Sequence, residues 1–445
     1  MRSAGGRAPR VGVVDLVNVE LPFVLALAGR LRGRVEFAFL QTRTDTHALL
    51  RAHGASWHTP AGTAPALDWS DDELLEACGA HERQWAKSLP ALLATARPLA
   101  AQLQDFLIRQ RIDAVLIWNG APLARALAAH AAARLGLRRL YCENGYLPGT
   151  MQLDAGGVNG GSSHAAAIAA GAYRGCAYDA EALDDALARL RSGAALAGAV
   201  PLRDPVAPLA QRLRREAARL FTARAWRWLS AGGGGRIHDR LPADTGRYAL
   251  LPLQVVRDSQ LSVHSPLFGA DLARCVAATD VALRRARPEL RLVVKLHPKE
   301  RLHENRIWRR LAARFPDAIF VRRQPIRELL DGCELVVTIN STVGVEALAF
   351  GKPVVAFGRN FYTVPALVHP VAELAELEPA LRACARPAHD ARDIRDFLGY
   401  LHQHLLVRGS YLDLSPRSLD AIGARLLELL DRPAAGAPDG NGPRA

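Results

Sequence analysis

Short apolar runs alternate with amphipathic stretches along most of the chain. In the first part, "RVGVVDLV" (10–17), "VEFAFLQ" (35–41), "DAVLIWNG" (113–120) and "RLYCENG" (139–145) read as strands. Helical patterning fills "PFVLALAGRL" (22–31), much of 71–111, and 122–135. Short apolar strands separated by helices predict a parallel sheet covered by helices on both faces. From 162 to about 230 the chain is rich in Ala, Leu and Arg and reads as mostly helical, ending in "AGGGGR" (231–236), a flexible connector. The alternation then resumes through "YALLPLQV" (248–255), a helix over 269–285, "RLVVKLHP" (291–298), "AIFVRR" (318–323), "IRELLDGC" (326–333), "ELVVTIN" (334–340), "TVGVEALAFG" (342–351) and "PVVAFG" (353–358). Residues 390–430 read as helical and the last stretch as a disordered tail.

This pattern predicts an α/β chain of two doubly wound Rossmann-like domains facing a central cleft, with ligands at the carboxyl ends of the strands. The expected divisions are a first domain over 1–200, a basic helical connector and glycine-rich linker over 201–245, and a second domain over 246–390. C-terminal helices over 391–432 and a tail over 433–445 complete the chain. A length of 445 residues supports two cores, and 49% hydrophobic with 23% charged residues marks a globular protein.

A formal charge of +13 points to an anionic partner: nucleic acid, phospholipid, a nucleotide or an acidic sugar. No zinc-finger spacing, RNP-like aromatic motif or helix-turn-helix accompanies the charge, so nucleic acid is not expected. The segment 209–230 carries six Arg and one acid, with an apolar stripe that includes Trp228. Such a helix either packs on its domain or lies on an anionic membrane surface. Cysteines 78, 142, 176, 275, 333 and 384 form no C-x-x-C pair, which favours a reducing compartment. Asp15, Asn18 and Glu20 interrupt the first apolar stretch, and no later run reaches 18 uninterrupted apolar residues. A cytoplasmic protein is therefore expected.

Polar residues that follow the apolar runs are the candidates for a ligand site: Asn18, Glu20, Asn119, Glu143, Asn144, Gln254, Asp258, His297 and Asn340 to Thr342. Each of them is also a plausible turn or cap residue. Asn340-Ser341-Thr342 precedes a helix whose free N–H groups favour an anion. Glu346 falls four residues after Thr342 and five after Ser341, not at the spacing of a capping box, and suits hydrogen bonds from sugar hydroxyls. His297, held before Pro298, is placed to hydrogen-bond a leaving phosphate, and Lys295 either adds charge or pairs with an acid. Glu143 is a candidate general base or nucleophile, with Gly145 allowing a tight turn and the close approach of a ligand. The chain has no Asp-x-Asp sugar-nucleotide motif, so no metal is expected.

Several of these segments, "YALLPLQVVRDSQLSVHSP", "VVKLHPKE", "TINSTVGVEALAFGKPVVAFG", "YCENGYLPGTMQLDAGGVN" and "LVRGSYLD", resemble the capsule polysaccharide biosynthesis family of KpsS and KpsC type. The resemblance covers about 113–160, 248–362 and 400–413. It implies a GT-B-like architecture and β-Kdo transfer from CMP-Kdo, without a further cofactor. The first domain takes the acceptor side and the second the nucleotide sugar.

The implied partners are the nucleotide-sugar donor, a phospholipid or glycolipid acceptor, a capsule assembly complex, and an anionic inner-membrane surface reached through 209–229. By this resemblance His297-Pro298, Ser341 and Thr342 contact the CMP phosphate, Glu346 the ribose, and Glu143-Asn144-Gly145 matches an acidic-acidic-glycine motif with Asn at its second position. Lys295, Gln254, Asp258 and Asn340 complete the expected donor site, while Asn18, Glu20, Asn119, Asn144, Gly145 and Asn159 line the acceptor or cleft. A polysialyltransferase, a glycerophosphotransferase or a non-catalytic binding subunit are the alternatives.

Overall fold

Residues that β-branching and apolarity suit to a pleated, doubly covered surface form the centre of each sheet. The computed structural model describes residues 7–60, 65–193, 235–298, 305–385 and 389–432. They divide into two compact units, the first holding residues up to His164 and from Leu401 onward, the second Ala165 to Tyr400 around the undescribed stretch. Each unit is an α/β layer in which a largely parallel sheet forms the core. The α/β class of two Rossmann-like units expected from the sequence is thus met.

In the first unit the strands are β1 (Arg10–Val14), β2 (Glu36–Leu40), β3 (Trp57–His58), β4 (Ala114–Trp118), β5 (Arg138–Asn144) and β6 (Met151–Asp154). The second contains β7 (Ile237–His238), β8 (Tyr248–Pro252), β9 (Arg291–Lys295), β10 (Ile319–Val321), β11 (Leu335–Thr338), β12 (Val354–Ala356) and β13 (His369–Pro370). A last strand, β14 (Leu406–Val407), returns to the first sheet, whose order is β14-β6-β5-β4-β1-β2-β3. The second sheet has the order β13-β12-β11-β8-β9-β10-β7.

The chain order reverses between β1 and β4 in the first sheet and between β8 and β11 in the second. Those two reversals are where ligands sit in open parallel sheets, because the loops leaving neighbouring strands diverge there.

The divisions observed differ from those expected. Helices Ala165–Ala169 and Ala180–Ser192 belong with the second unit, and the region after 400 belongs with the first. The cause is pairing: β14 joins β6 antiparallel through Leu406–Gln152 and Val407–Met151, and the helix Pro416–Asp431 buries Leu419, Ile422 and Leu426 in the same core as Val11 and Phe23. The uninterrupted helical reading of 390–430 is broken there by a π-helical turn at Leu401–Leu405 and by β14.

The connector over 209–229, the first four residues of "AGGGGR" and the tail after 432 lie outside the described residues. Among the described residues no helix is long and apolar enough to cross a membrane. The six cysteines are unpaired, five of them buried.

One buried charge pair organises the first sheet. Arg125 and Glu20 are 5% and 7% exposed. The Arg125 guanidinium bonds both Glu20 carboxylate oxygens and also donates to the carbonyls of Asp15 (2.9 Å) and Trp118 (3.1 Å). Glu20 in turn accepts from the backbone N–H of Val17 at 3.0 Å. Replacing Arg125 with Ala strands a buried carboxylate, at a cost of about 3–5 kcal/mol. The Tm measured by circular dichroism should fall by about 6 °C or more; a fall below about 1 °C contradicts the role given to the pair.

Candidate functional site

The reversal in the second sheet brings together the ends of β8 and β11, and with them two of the polar groups read from the sequence. After β8 the chain turns through Gln254 and Asp258 into the helix Ser259–His264. Asp258 caps that helix by accepting from the Gln260 N–H at 2.9 Å and lies 3.3 Å from the Gln254 amide nitrogen. After β11, Asn340 is almost fully buried and donates to the Gln260 carbonyl at 3.0 Å. The Asn340 carbonyl accepts from the side chain of Asn360 at 3.0 Å. The side-chain oxygens of Asn340 and Gln260 are both buried with no hydrogen-bond partner among the described residues.

Ser341 accepts from the Val343 N–H at 3.3 Å, and its carbonyl accepts from the Tyr362 hydroxyl at 2.7 Å. Tyr362 can approach this closely because Gly344 faces it: a Cβ there would lie 2.5 Å from the phenolic oxygen. Thr342 is exposed at the N-cap position of the helix Val343–Ala349 and makes no side-chain cap bond. The cap reading therefore fits Asp258 and, in part, Ser341, but not Thr342.

Glu346 lies one turn into that helix, half-buried. No hydrogen bond or ion pair holds its carboxylate among the described residues, and burial alone pushes its pKa up to about 7. A desolvated acid without a partner at a strand-end crevice is unusual, because burial normally selects for a paired acid or an apolar residue. It retains the capacity to accept hydrogen bonds from an incoming donor.

Lys295 stands at the end of β9. It is 6% exposed and donates to the carbonyls of Leu296 at 2.6 Å and Arg322 at 2.7 Å, which fixes the ends of β9 and β10 against each other. His297 is half-buried just beyond β9, and Pro298 is exposed.

In the first unit, Glu143 sits near the end of β5. It accepts from the Asn119 side chain at 2.6 Å through one oxygen and from the Asn144 N–H at 2.8 Å through the other. Asn119 follows β4 in a left-handed conformation (φ 62°), which directs its amide toward β5. Asn18 is half-buried in the turn after β1 and Asn144 is exposed.

Three residues assigned to the acceptor side are engaged by the protein itself. Glu20 is consumed by Arg125, as described above. Gly145 is needed for an internal contact, since a Cβ there would lie 2.0 Å from the Thr150 hydroxyl; the close approach is made by the chain, where a ligand was expected. Asn159, 5% exposed, accepts from Tyr146 at 2.8 Å and Gln152 at 3.0 Å, which closes a buried polar network under the β5–β6 hairpin. Asp154 holds the following loop by accepting from Ser162, Ser163, Gly156 and Gly157.

Sequence reasoning missed Arg125, Gln260, Asn360 and Tyr411. Tyr411 lies inside the quoted "LVRGSYLD" segment but follows no strand of the first alternation, so the strand-end rule passed over it. Burial, with the charges of Glu143 and Glu20 nearby, holds its phenol above the ordinary tyrosine range.

Two Rossmann-like units with polar groups gathered at their sheet reversals define a doubly wound α/β protein. Residues 213–383 match the model of the capsule polysaccharide biosynthesis protein family.

It is 29% identical over 315 residues to Protein FixF of Sinorhizobium fredii, an alignment covering 69% of this chain and 64% of FixF. It is 33% identical over 163 residues to the capsule polysaccharide export protein KpsS of Escherichia coli, covering 35% of this chain and 39% of KpsS. The matched part is thus under two thirds of each relative's length. Among solved structures, the Thermosulfurimonas dismutans KpsC β-Kdo 2,7 transferase aligns over 94% of this chain and 99% of its own, at 15% identity and a TM-score of 0.40. A likeness that low adds nothing to the assignment.

The unpaired Glu346 makes a pH-dependent signature. Its folded-state pKa is raised, so the folded chain gains stability from the neutral acid at low pH and loses it as pH rises through about 7. Glu346→Gln, which cannot ionise, should raise the Tm relative to the parent at pH 8, by the equivalent of about 1–3 kcal/mol, and leave it near the parent at pH 5. Equal shifts at both pH values would contradict a desolvated carboxyl.

Proposed function

We propose that the chain is a glycosyltransferase that moves Kdo from CMP-Kdo to a lysophospholipid or Kdo-primed acceptor in capsule linker synthesis. The observation that carries the reading is Glu346, an acid with no partner among the described residues, beside a hydroxyl pair at the β8–β11 reversal. Such an arrangement suits a ribose, whose hydroxyls donate to the carboxylate, next to a phosphate that accepts from Thr342 and Ser341. The family match over 213–383 and the KpsS relative support the capsule assignment.

In this reading the bond between the anomeric carbon of the sugar and the CMP phosphate oxygen breaks, and CMP leaves with the electron pair. His297 donates to the departing phosphate and stabilises its charge. Glu143, oriented by Asn119 and the Asn144 N–H, either takes the proton of the acceptor hydroxyl as that oxygen bonds to the anomeric carbon, or itself bonds to that carbon and is then displaced by the acceptor oxygen, whose proton passes to solvent. The cationic groups of the protein balance the leaving charge, with no metal required. An inner-membrane surface reached through the basic segment 209–229, and a capsule assembly complex, are the partners assigned.

Incubation with CMP-Kdo, CMP-sialic acid, CDP-glycerol and UDP-sugars, with synthetic lysophosphatidylglycerol as acceptor, tests the donor. Release of CMP from CMP-Kdo alone, a product one Kdo heavier by mass spectrometry, and persistence in EDTA are the expected results. His297→Ala should lower kcat by about 100-fold or more with an unchanged fold. Turnover confined to a UDP-sugar would sink the donor assignment.

A further inference from the structure

The helix Val343–Ala349 starts past the carboxyl end of β11 and, because β11 and β12 are parallel, runs back toward the opposite edge of the sheet. A cavity of about 450 Å³ opens where it ends, lined by Arg191, Arg327, Glu328, Asp331 and Phe350. All of them belong to the second unit. Small-molecule sites occupy roughly 300–1,000 Å³, so the space suits a ligand of one ring.

The local backbone explains how these side chains come together. Arg191, near the end of the helix Ala180–Ser192, donates to the Ala349 carbonyl at 2.7 Å and so caps the helix that carries Glu346. Gly193 ends the Arg191 helix in a left-handed conformation (φ 66°), and a Cβ there would collide with the Arg327 guanidinium. Arg327 and Asp331 stand four residues apart on the helix Ile326–Gly332 and therefore share a face. The Lys352 ammonium donates to the Asp331 carbonyl at 2.9 Å, which ties that helix to the chain entering β12.

The bonds these groups leave unmade give the cavity its chemistry. Arg240 and Gln324 both donate to Oε2 of Glu328, at 2.5 and 3.3 Å, and Oε1 makes no hydrogen bond among the described residues. The Arg327 guanidinium and the Asp331 carboxylate make no hydrogen bond or ion pair there. With Arg240 counted, three guanidiniums accompany two carboxylates, an excess that favours an anion. A guanidinium takes a carboxylate through two parallel hydrogen bonds. The two protein carboxylates accept from hydroxyls and disfavour a ligand of higher negative charge. Phe350, half-buried, supplies an apolar wall. A ring with one carboxylate, several hydroxyls and an apolar face answers all of these groups at once.

We infer that this cavity binds a single sugar unit bearing a carboxylate, with its acid on Arg327 and Arg191 and its hydroxyls on Asp331 and Glu328. The inference does not depend on the transfer reaction proposed above, because the cavity lies past the far end of the helix from Ser341 and Thr342.

Saturation-transfer NMR and titration calorimetry on the full chain test it, with methyl glucuronide as the acidic probe, methyl glucoside as the neutral one and glucose 6-phosphate as the dianion. The glucuronide should bind at least about fivefold more tightly than either of the others. Arg327→Gln and Asp331→Ala should each weaken glucuronide binding by about fivefold or more, with the Tm within about 2 °C of the parent. Glu346→Gln should leave that affinity within about twofold of the parent, which separates the cavity from the crevice after β11. The same dependence on Arg327 with a hyaluronan tetrasaccharide identifies a unit of a glycan chain as the ligand, and its absence there a free sugar; both support the site. Glucuronide binding that is undetectable, that matches the glucoside or the phosphate, or that survives both cavity variants overturns the inference. Loss of binding in Glu346→Gln alone also overturns it and leaves the Glu346 reading standing.

Discussion

Parallel strands end together, and the backbone carbonyls at their carboxyl ends must be satisfied without closing the crevice that a ligand needs. Each unit meets this constraint with one buried cation. Arg125 donates to the carbonyls of Asp15 and Trp118 at the ends of β1 and β4, and Lys295 to those of Leu296 and Arg322 just past β9 and β10. Arg125 also carries a counter-ion, Glu20, a buried acid that the strand-end rule had counted as a cleft residue. In both units the geometry of the site follows from these staples, because they fix where one strand end stands relative to the next.

Once the carbonyls are satisfied, the polar residues left over become informative. Asp258 caps a helix, Asn159 and Gln152 satisfy each other, and Asp154 ties a glycine-rich loop. Each has a structural account that consumes its hydrogen-bonding capacity. Glu346 and the side-chain oxygen of Asn340 do not, and they lie close together in sequence at the β8–β11 reversal. A residue that pays desolvation without a protein partner is the kind a ligand can complete.

Much of the architecture was legible in the chain. The apolar runs at 113–120, 248–255, 291–298 and 334–340 all contain central strands, since a strand buried on both faces leaves a continuous apolar signal. The short edge strands β3, β7, β13 and β14 carry no such signal, because two residues cannot establish a period. The β5–β6 hairpin was hidden for another reason. "MQLD" alternates too briefly, and its pairing is dictated by the turn held between Gly145 and Thr150.

The sequence by itself determined the α/β class, the two sheets, and a polar cluster after β11 whose acid does not stand at a capping position. Those features are local, written in periodicity and spacing within a few tens of residues. Only the tertiary structure decided which polar groups are spent and which remain open. The partner of Glu20 lies 105 positions away, and β14 joins the β5–β6 hairpin from more than 250 positions later. Hydrogen-bond satisfaction is a property of what surrounds an atom in space, and no spacing rule along the chain reports it.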